Sequence, residues 1–202
     1  MKLNNSFYQR NDTIKMAKEL IGKFLYTNFD GQLTGGMIVE TEAYMGVTDS
    51  SCHTFNNRKT NRNATMYNQG GVIYMYVCYG IHDMLNIVTG NEGDSQVILI
   101  RAIEPLKGIE KMIERRGDVP LKRLAKGPGS LAKALGLKRI HDSISLLEEE
   151  IWIENKGFKF DSDSIIESPR VGLGCPEPYF SMPWRFFLKG NAYVSGKTKV
   201  VS

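Results

Sequence analysis

Apolar residues recur along this chain with two periods, and each change of period marks a predicted element. In "NDTIKMAKELIGKFL", Ile14, Met16, Ala17, Leu20 and Ile21 follow at near-helical spacing, with Asp12 placed to cap the helix and Gly22 to stop it. "NFDGQL" then predicts a hairpin-type turn into a strand. "VIYMYVCYG" alternates, placing Tyr74 and Tyr76 on one face with Ile73, Met75 and Val77 behind them. "MLNIV" and "QVILIRAIEP" predict further strands, with Gly90 and Gly93 in the turn between. "PLKGIEKMIERRG" predicts a helix with Leu106, Ile109, Met112 and Ile113 inward, and "GPGSLAKALG" a turn onto a short helix beginning near Ser130. The last third mixes short strands, "EIWIE", "RFFLKG" and "AYVSG", with a proline-punctuated loop, "CPEPYFSMP". No repeat or low-complexity linker interrupts the chain. The order of elements predicts one α+β domain over residues 1–202, built on a mainly antiparallel sheet.

Two stretches depart from this patterning. "IVETEAYMG" sets two glutamates in a strand, and alternation puts Glu40, Glu42 and Tyr44 on one face and Val39, Thr41 and Ala43 on the other. Met45 to Gly71 is polar, rich in Asn, Thr and Arg, and without a periodic apolar pattern. A loop that long inside a domain is functional or disordered.

Composition narrows the classes. With 202 residues, 42% of them hydrophobic, the chain can bury a full core. A net charge of +4 permits a nucleic-acid partner without requiring one. The three cysteines, Cys52, Cys78 and Cys175, are far apart and form no CxxC, which predicts reduced thiols rather than a disulfide framework or a zinc site. The N-terminus has no apolar signal region and no stretch is long enough to span a membrane, so the expected location is cytoplasmic.

Several residues carry candidate chemistry. Arg101 ends "VILIR" on the face of Val97 and Leu99, and a buried arginine needs an anion. It serves either as half of a structural ion pair, or as a partner of Glu42 around a small ligand, lowering the carboxyl pKa so that Glu42 is ionised and able to act as a base. His53 in the polar loop reads as a surface histidine, and Tyr74 and Tyr76 as sheet packing, when each is taken alone. Together with Glu42 and Arg101 they suit a pocket for a flat base. The run "NNRKTNRN" contributes Arg58, Lys59, Thr60 and Arg62 either as a solvated face or as phosphate contacts. Arg115, Arg116, Lys122, Arg123 and Lys126 form a second basic stretch before "GPG". "YGIHDMLNIV" is either a plain hairpin or a tip presenting Tyr79 and Ile81 as wedges between bases.

Taken in order, "VETEAYMG", His53, "RKTNRNATMY", "YMYVCYG", Asn86, "ILIRAIEP" and "PRVGLG" resemble the alkyladenine (3-methyladenine) DNA glycosylase family over nearly the whole chain. The resemblance implies a single α+β domain with a curved sheet and flanking helices, which flips a damaged purine from double-stranded DNA and hydrolyses its N-glycosylic bond. It implies a monofunctional enzyme with no metal, no lysine Schiff base and no lyase step; a monomer at the bacterial nucleoid, with no cofactor, membrane or obligate protein partner, is the default expectation. On this resemblance Glu42 activates the water, and Arg101 and the main-chain carbonyl of Val171 hold it. Tyr44 stacks on one side of the base, His53 and Tyr76 on the other, and Asn86 disfavours guanine. Tyr79 fills the vacated stack beside Ile81 and His82, which depart from the family's usual apolar-aromatic pair. Ser130 stands where the family often has Lys. Glu40 is expected to be structural.

Two other classes remain open at this level. A non-catalytic damage reader needs the pocket but no ionised Glu42. A glycoside hydrolase using Glu40 and Glu42 needs both carboxylates flanking one sugar.

Overall fold

The computed structural model describes residues 1–196. It begins with two short helices, α1 (Asn5–Tyr8) and α2 (Thr13–Glu19), followed by strands β1 (Phe24–Phe29) and β2 (Gln32–Tyr44). Asp30 and Gly31, both with positive φ, make the two-residue turn between these strands. After the polar stretch come β3 (Ile73–Cys78), β4 (His82–Thr89) and β5 (Gln96–Lys107), then helices α3 (Ile109–Arg116) and α4 (Pro128–Leu135). Strands β6 (Ile151–Glu154), β7 (Ile165–Ser168) and β8 (Arg185–Leu188) complete the described elements. The sheet runs β3-β4-β5-β2-β1-β6, with β8 against β2 and β7 against β8. The paired strands are antiparallel, which agrees with the expected α+β class. Among the described residues, no helix is long and apolar enough to cross a membrane.

Strand β2 is the spine. Its first half pairs with β1, residues Glu40 to Glu42 pair with β8, and β5 runs along its other edge. One sheet face buries Ile38, Ala43, Ile73, Met75, Leu85, Ile87, Ile98 and Ile100 against Met16, Ala17 and Leu20 of α2 and Leu131, Ala132 and Leu135 of α4. The opposite face carries Tyr74, Val88 and Val97 against Cys52 and Met66 of the polar stretch. Both faces are therefore covered, which is why the strands hold few exposed positions.

The polar stretch is ordered by side chains that serve as backbone partners. It contains three 3-10 turns, Gly46–Thr48, Phe55–Asn57 and Ala64–Tyr67. Buried Asn63 accepts from Thr60 N–H at 2.7 Å and donates to the carbonyls of His53 and Arg58 at 2.9 Å. Asp49 accepts from the amides of Met45 and Ser51 at 3.1 and 3.0 Å. Asx-type bonding of this kind replaces an apolar period.

Five expectations need correction. Strict alternation fails at Val39, which packs with Ala102, Phe187 and Val194 and not with the cluster of Ala43. The cause is a pair of register breaks between Ile38 and Thr41, which skip Val39 on β2 and Arg101 on β5. Leu106 and Ile113 are exposed, because β5 runs on to Lys107 and α3 begins at Ile109, while Ile109 and Met112 face inward as expected. "AYVSG" is a turn that buries Val194 and Ser195, whereas β7 was not anticipated. Helix α4 starts at Pro128 rather than near Ser130, and the Asp12 carboxylate at the head of α2 bonds Arg10 instead of a helix amide.

Close backbone approach fixes the β2–β5 register at Gly36, where a Cβ would meet the carbonyl of Glu104 beside Pro105. Gly36→Ala is expected to lower the unfolding free energy by roughly 1–3 kcal/mol, as overpacking against unyielding backbone does. Chemical denaturation checks this, and an unchanged midpoint would contradict the register argument.

Candidate active site

The glutamate row on β2 creates an electrostatic problem that the neighbouring elements solve. Glu40 and Glu42 are both completely buried. Buried carboxylates need charged and hydrogen-bonding partners. Arg101 on β5 donates from Nε to Glu40 Oε1 at 2.9 Å and places Nη1 3.3 Å from Glu42 Oε2. Arg185 on β8 also donates to Glu40 Oε1, at 2.7 Å, and the amide of Ser195 donates to Glu40 Oε2 at 2.6 Å. Alternation places Arg101 on this face with Val97 and Leu99, and the register break after it turns Ala102 the same way before Ile103 returns to the helices.

Glu42 is held differently. Its Oε1 accepts from Val171 N–H at 2.7 Å, and its Oε2 accepts from the Tyr44 hydroxyl at 2.9 Å. Burial pushes its pKa up, and the opposing pulls of Arg101, the Val171 amide and Tyr44 do not cancel that effect. The expectation that Arg101 would leave Glu42 with a lowered pKa is thus corrected: the arginine acts in that direction, but desolvation is larger. Burial also raises the Tyr44 pKa, with Glu42 adding to it, so Tyr44 stays a phenol and a donor. Arg101 keeps its charge, since Glu42 and Glu40 outweigh the desolvation that opposes it.

In front of this charge cluster lies a cleft of about 230 Å³, lined among others by Tyr44, His53, Tyr76, Asn86, Arg101 and Val171. That volume is below the roughly 300–1,000 Å³ of drug-sized ligand sites and suits one small ring system. All six residues expected around Glu42 line this cleft, and Glu42 contacts three of them, Val171, Tyr44 and Arg101. His53 accepts or donates at Nδ1 with the Tyr74 hydroxyl at 3.0 Å and meets the Tyr76 ring edge-on at 4.6 Å. Burial, then Arg62 and Arg58, lower its pKa, which favours the neutral ring. Asn86 is oriented by donating Nδ2 to the Tyr74 carbonyl at 3.1 Å.

The cleft's mouth carries the three-residue turn between β3 and β4. Tyr79 adopts φ of 51° and is 88% exposed, and Ile81 is 74% exposed. A non-glycine residue held with positive φ is strained, and such strain persists where the structure uses it. Arg62 and Arg139 flank the Tyr79 turn in a shallow depression, and Arg62 also donates to the Val77 carbonyl at 2.8 Å. Arg58, Thr60 and Arg62 line a second cavity of about 630 Å³ on the far side of His53. Lys59 is elsewhere, over the Tyr67 ring at 4.9 Å. Ile81 and His82 open onto a third groove that also contains Arg115, Arg116, Ser130, Lys133 and Lys138.

Sequence reasoning missed Arg139 and the pair Asp49–Arg170. Arg170 is fully enclosed and donates from both terminal nitrogens to Asp49, at 2.5 and 3.0 Å. Its only sequence signal is its place in "PRVGLG", since an irregular loop has no period from which burial can be read. The sugar-hydrolase reading loses its second carboxylate, because Glu40 is committed to Arg101, Arg185 and Ser195 behind the cleft. Among the described residues, no group of three His, Cys, Asp or Glu side chains is placed to hold a metal ion.

The raised Glu42 pKa has a consequence for stability. A carboxyl whose folded pKa lies above its unfolded value penalises the folded state once pH exceeds the unfolded value, and the penalty is complete above the folded one. Glu42→Gln removes that penalty and keeps an acceptor for Val171 N–H. Its melting temperature at pH 7 is expected to be no lower than that of the unaltered chain. The difference should shrink as pH falls to the ordinary carboxylate range; a clear drop in melting temperature at pH 7 would contradict the electrostatic account.

The sequence profile of a family described as methylpurine-DNA glycosylase (MPG) matches residues 6–192. A Chlamydia felis protein named "Putative 3-methyladenine DNA glycosylase" is 44% identical over 188 residues, covering 92% of this chain and 95% of the relative. A protein of the same name from Clostridium acetobutylicum is 41% identical over 203 residues, covering 96% and 98%. Another from Alkaliphilus oremlandii is 37% identical over 205 residues, covering 98% and 100%. With its cleft, buried carboxylate and matched length, this chain belongs to the methylpurine-DNA glycosylase family.

Proposed function

We propose that the chain is a monofunctional DNA glycosylase that draws alkylated or deaminated purines out of duplex DNA and hydrolyses their N-glycosylic bond, leaving an abasic site. The observation that carries this reading is Glu42: a completely buried carboxylate, held by Val171, Tyr44 and Arg101 behind an aromatic cleft. A pocket that merely reads damage gains nothing from burying an ionisable carboxyl at such cost.

In this reading the flipped base enters between Tyr44 and the wall of His53 and Tyr76, with Asn86 beside it. Tyr79 occupies the vacated stack, aided by Ile81 and His82. Water held by Arg101 and the Val171 carbonyl is deprotonated by Glu42. Oε1 accepts one hydrogen bond among the described residues and retains a lone pair for this step. Departure of the base develops positive charge on the sugar, which an anionic carboxylate stabilises. A raised pKa strengthens Glu42 as a base while leaving it sensitive to acid. Arg58, Lys59, Thr60 and Arg62 supply charge and donors for the phosphates. The active unit is a monomer spanning residues 1–202, a single cytoplasmic domain with double-stranded DNA as its partner and no cofactor.

Duplexes containing 3-methyladenine, 7-methylguanine, hypoxanthine or etheno-adenine test the reading through release of free base and formation of alkali-labile sites. Release from at least one is expected, and Glu42→Gln should abolish turnover while still binding abasic-analogue DNA. Binding without release by the unaltered chain would make it a damage reader. Turnover that survives in Glu42→Gln would remove Glu42 as the base.

The logarithm of the affinity for lesion-free duplex should fall linearly with the logarithm of salt concentration. Arg62→Gln is expected to reduce that slope by about one. A slope unaffected by the substitution would place Arg62 off the DNA.

A further inference from the structure

The glycosylase reading assigns no role to Arg170 or Asp49, yet they form the most enclosed ion pair outside the Glu40 and Glu42 cluster. Arg170 lies in the loop after β7, one residue before Val171. Its guanidinium carbon sits 4.5 Å from the Tyr44 ring centre and 5.0 Å from that of Trp184. The cation therefore backs the Tyr44 ring, whose other side belongs to the cleft. Its terminal nitrogens are consumed by Asp49, by the Ala43 carbonyl at 3.0 Å, and by Ser51 Oγ and the Tyr179 carbonyl at 3.3 and 3.4 Å. Asp49 in turn accepts the amides of Met45 and Ser51, the first turn of the polar stretch that carries His53.

These contacts reach both sides of the site. Through Ala43 and the ring contact, Arg170 fixes the end of β2 where Tyr44 stands. Through the peptide that follows it, Arg170 fixes the Val171 amide that donates to Glu42 Oε1. Through Asp49 it fixes the start of the loop on the opposite wall. Its Nε has no hydrogen-bond partner among the described residues. A buried donor left unpaired is costly, and a smaller apolar filler would avoid that cost. Packing alone therefore does not explain a guanidinium here, whereas a planar group that both stacks and forks does.

Resting on the glycosylase reading, we propose that Arg170, braced by Asp49, is a positioning residue: it sets the Tyr44 wall against the base and the Val171 amide against Glu42. It touches neither base nor water. The groups bearing on Glu42 are Arg101 from β5, Glu40 and Tyr44 from β2, Tyr76 from β3, and the Val171 amide and the Arg170 cation from the loop after β7; Arg185 of β8 is turned to Glu40.

The test is single-turnover excision of a purine lesion by Arg170→Lys and Asp49→Asn, together with binding to abasic-analogue DNA, which leaves the base cleft empty. Lysine keeps the charge and loses the fork and the stack; asparagine keeps size and one acceptor. A misplacement of about 1 Å can cost on the order of 10²-fold. The expected loss in the excision rate constant is therefore about 10²-fold for Arg170→Lys and smaller for Asp49→Asn, with abasic-analogue affinity unchanged. Weakening the Val171 donor should also move the pH at which rate is lost on acidification upward in both variants. A purely structural role predicts a reduced reaction amplitude, from fewer folded molecules, with an unchanged rate constant and pH profile, and that result would overturn the proposal. Asp49→Asn decides the matter if Arg170→Lys does not fold. Absence of release by the unaltered chain would instead overturn the glycosylase reading itself, and this inference with it.

Discussion

The arrangement depends on one electrostatic demand: two carboxylates, Glu40 and Glu42, sit on the same buried face of β2 and must be matched. Removing one partner of a buried ion pair costs about 3–5 kcal/mol, because the other charge is stranded. Satisfying both recruits distant parts of the chain. Arg101 comes from β5, Arg185 and Ser195 from the C-terminal third, and the Val171 amide from the loop after β7. The register breaks at Val39 and Arg101 are the local cost of aiming these side chains at one point. Charge matching on β2 thus does for the C-terminal third what apolar packing does for the helices.

The two glutamates differ in how completely they are neutralised, and this difference is the ground on which the proposed chemistry is assigned to Glu42 and not to Glu40. Glu40 is saturated by two arginines and an amide. Glu42 has one arginine at 3.3 Å, one amide and a phenol, and burial outweighs them. A group that is destabilising where it stands, yet positioned by three donors at the back of an aromatic cleft, has the properties of a site maintained at the expense of stability. The strained, exposed Tyr79 at the cleft mouth is a second feature of that kind.

Much of this was legible in the sequence where period two holds. Alternation correctly put Tyr74 with Tyr76, Arg101 with Val97 and Leu99, and Glu42 with Tyr44 on the faces that line the cleft. It failed at Val39, since a bulge turns two successive side chains to one side and leaves no trace in an apolar count. Of the four positions expected inward around α3, Ile109 and Met112 are, whereas Leu106 and Ile113 are not, because the strand before the helix runs longer than its composition suggests. Asp49, Asn63 and Arg170 were illegible for a different reason. They act on backbone groups of loops, and no periodicity predicts which polar side chain will be buried there. Family resemblance, rather than spacing, pointed to roles for His53, Asn86 and Val171.

The central claim is that Glu42, ionised against the pull of burial, performs the chemistry. The pH dependence of single-turnover hypoxanthine excision tests it most directly. The account predicts that the rate falls on acidification with an apparent pKa above the ordinary glutamate value of about 4.3, and that Glu42→Gln leaves no such limb. A limb at or below that value, or one that persists in Glu42→Gln, would contradict it.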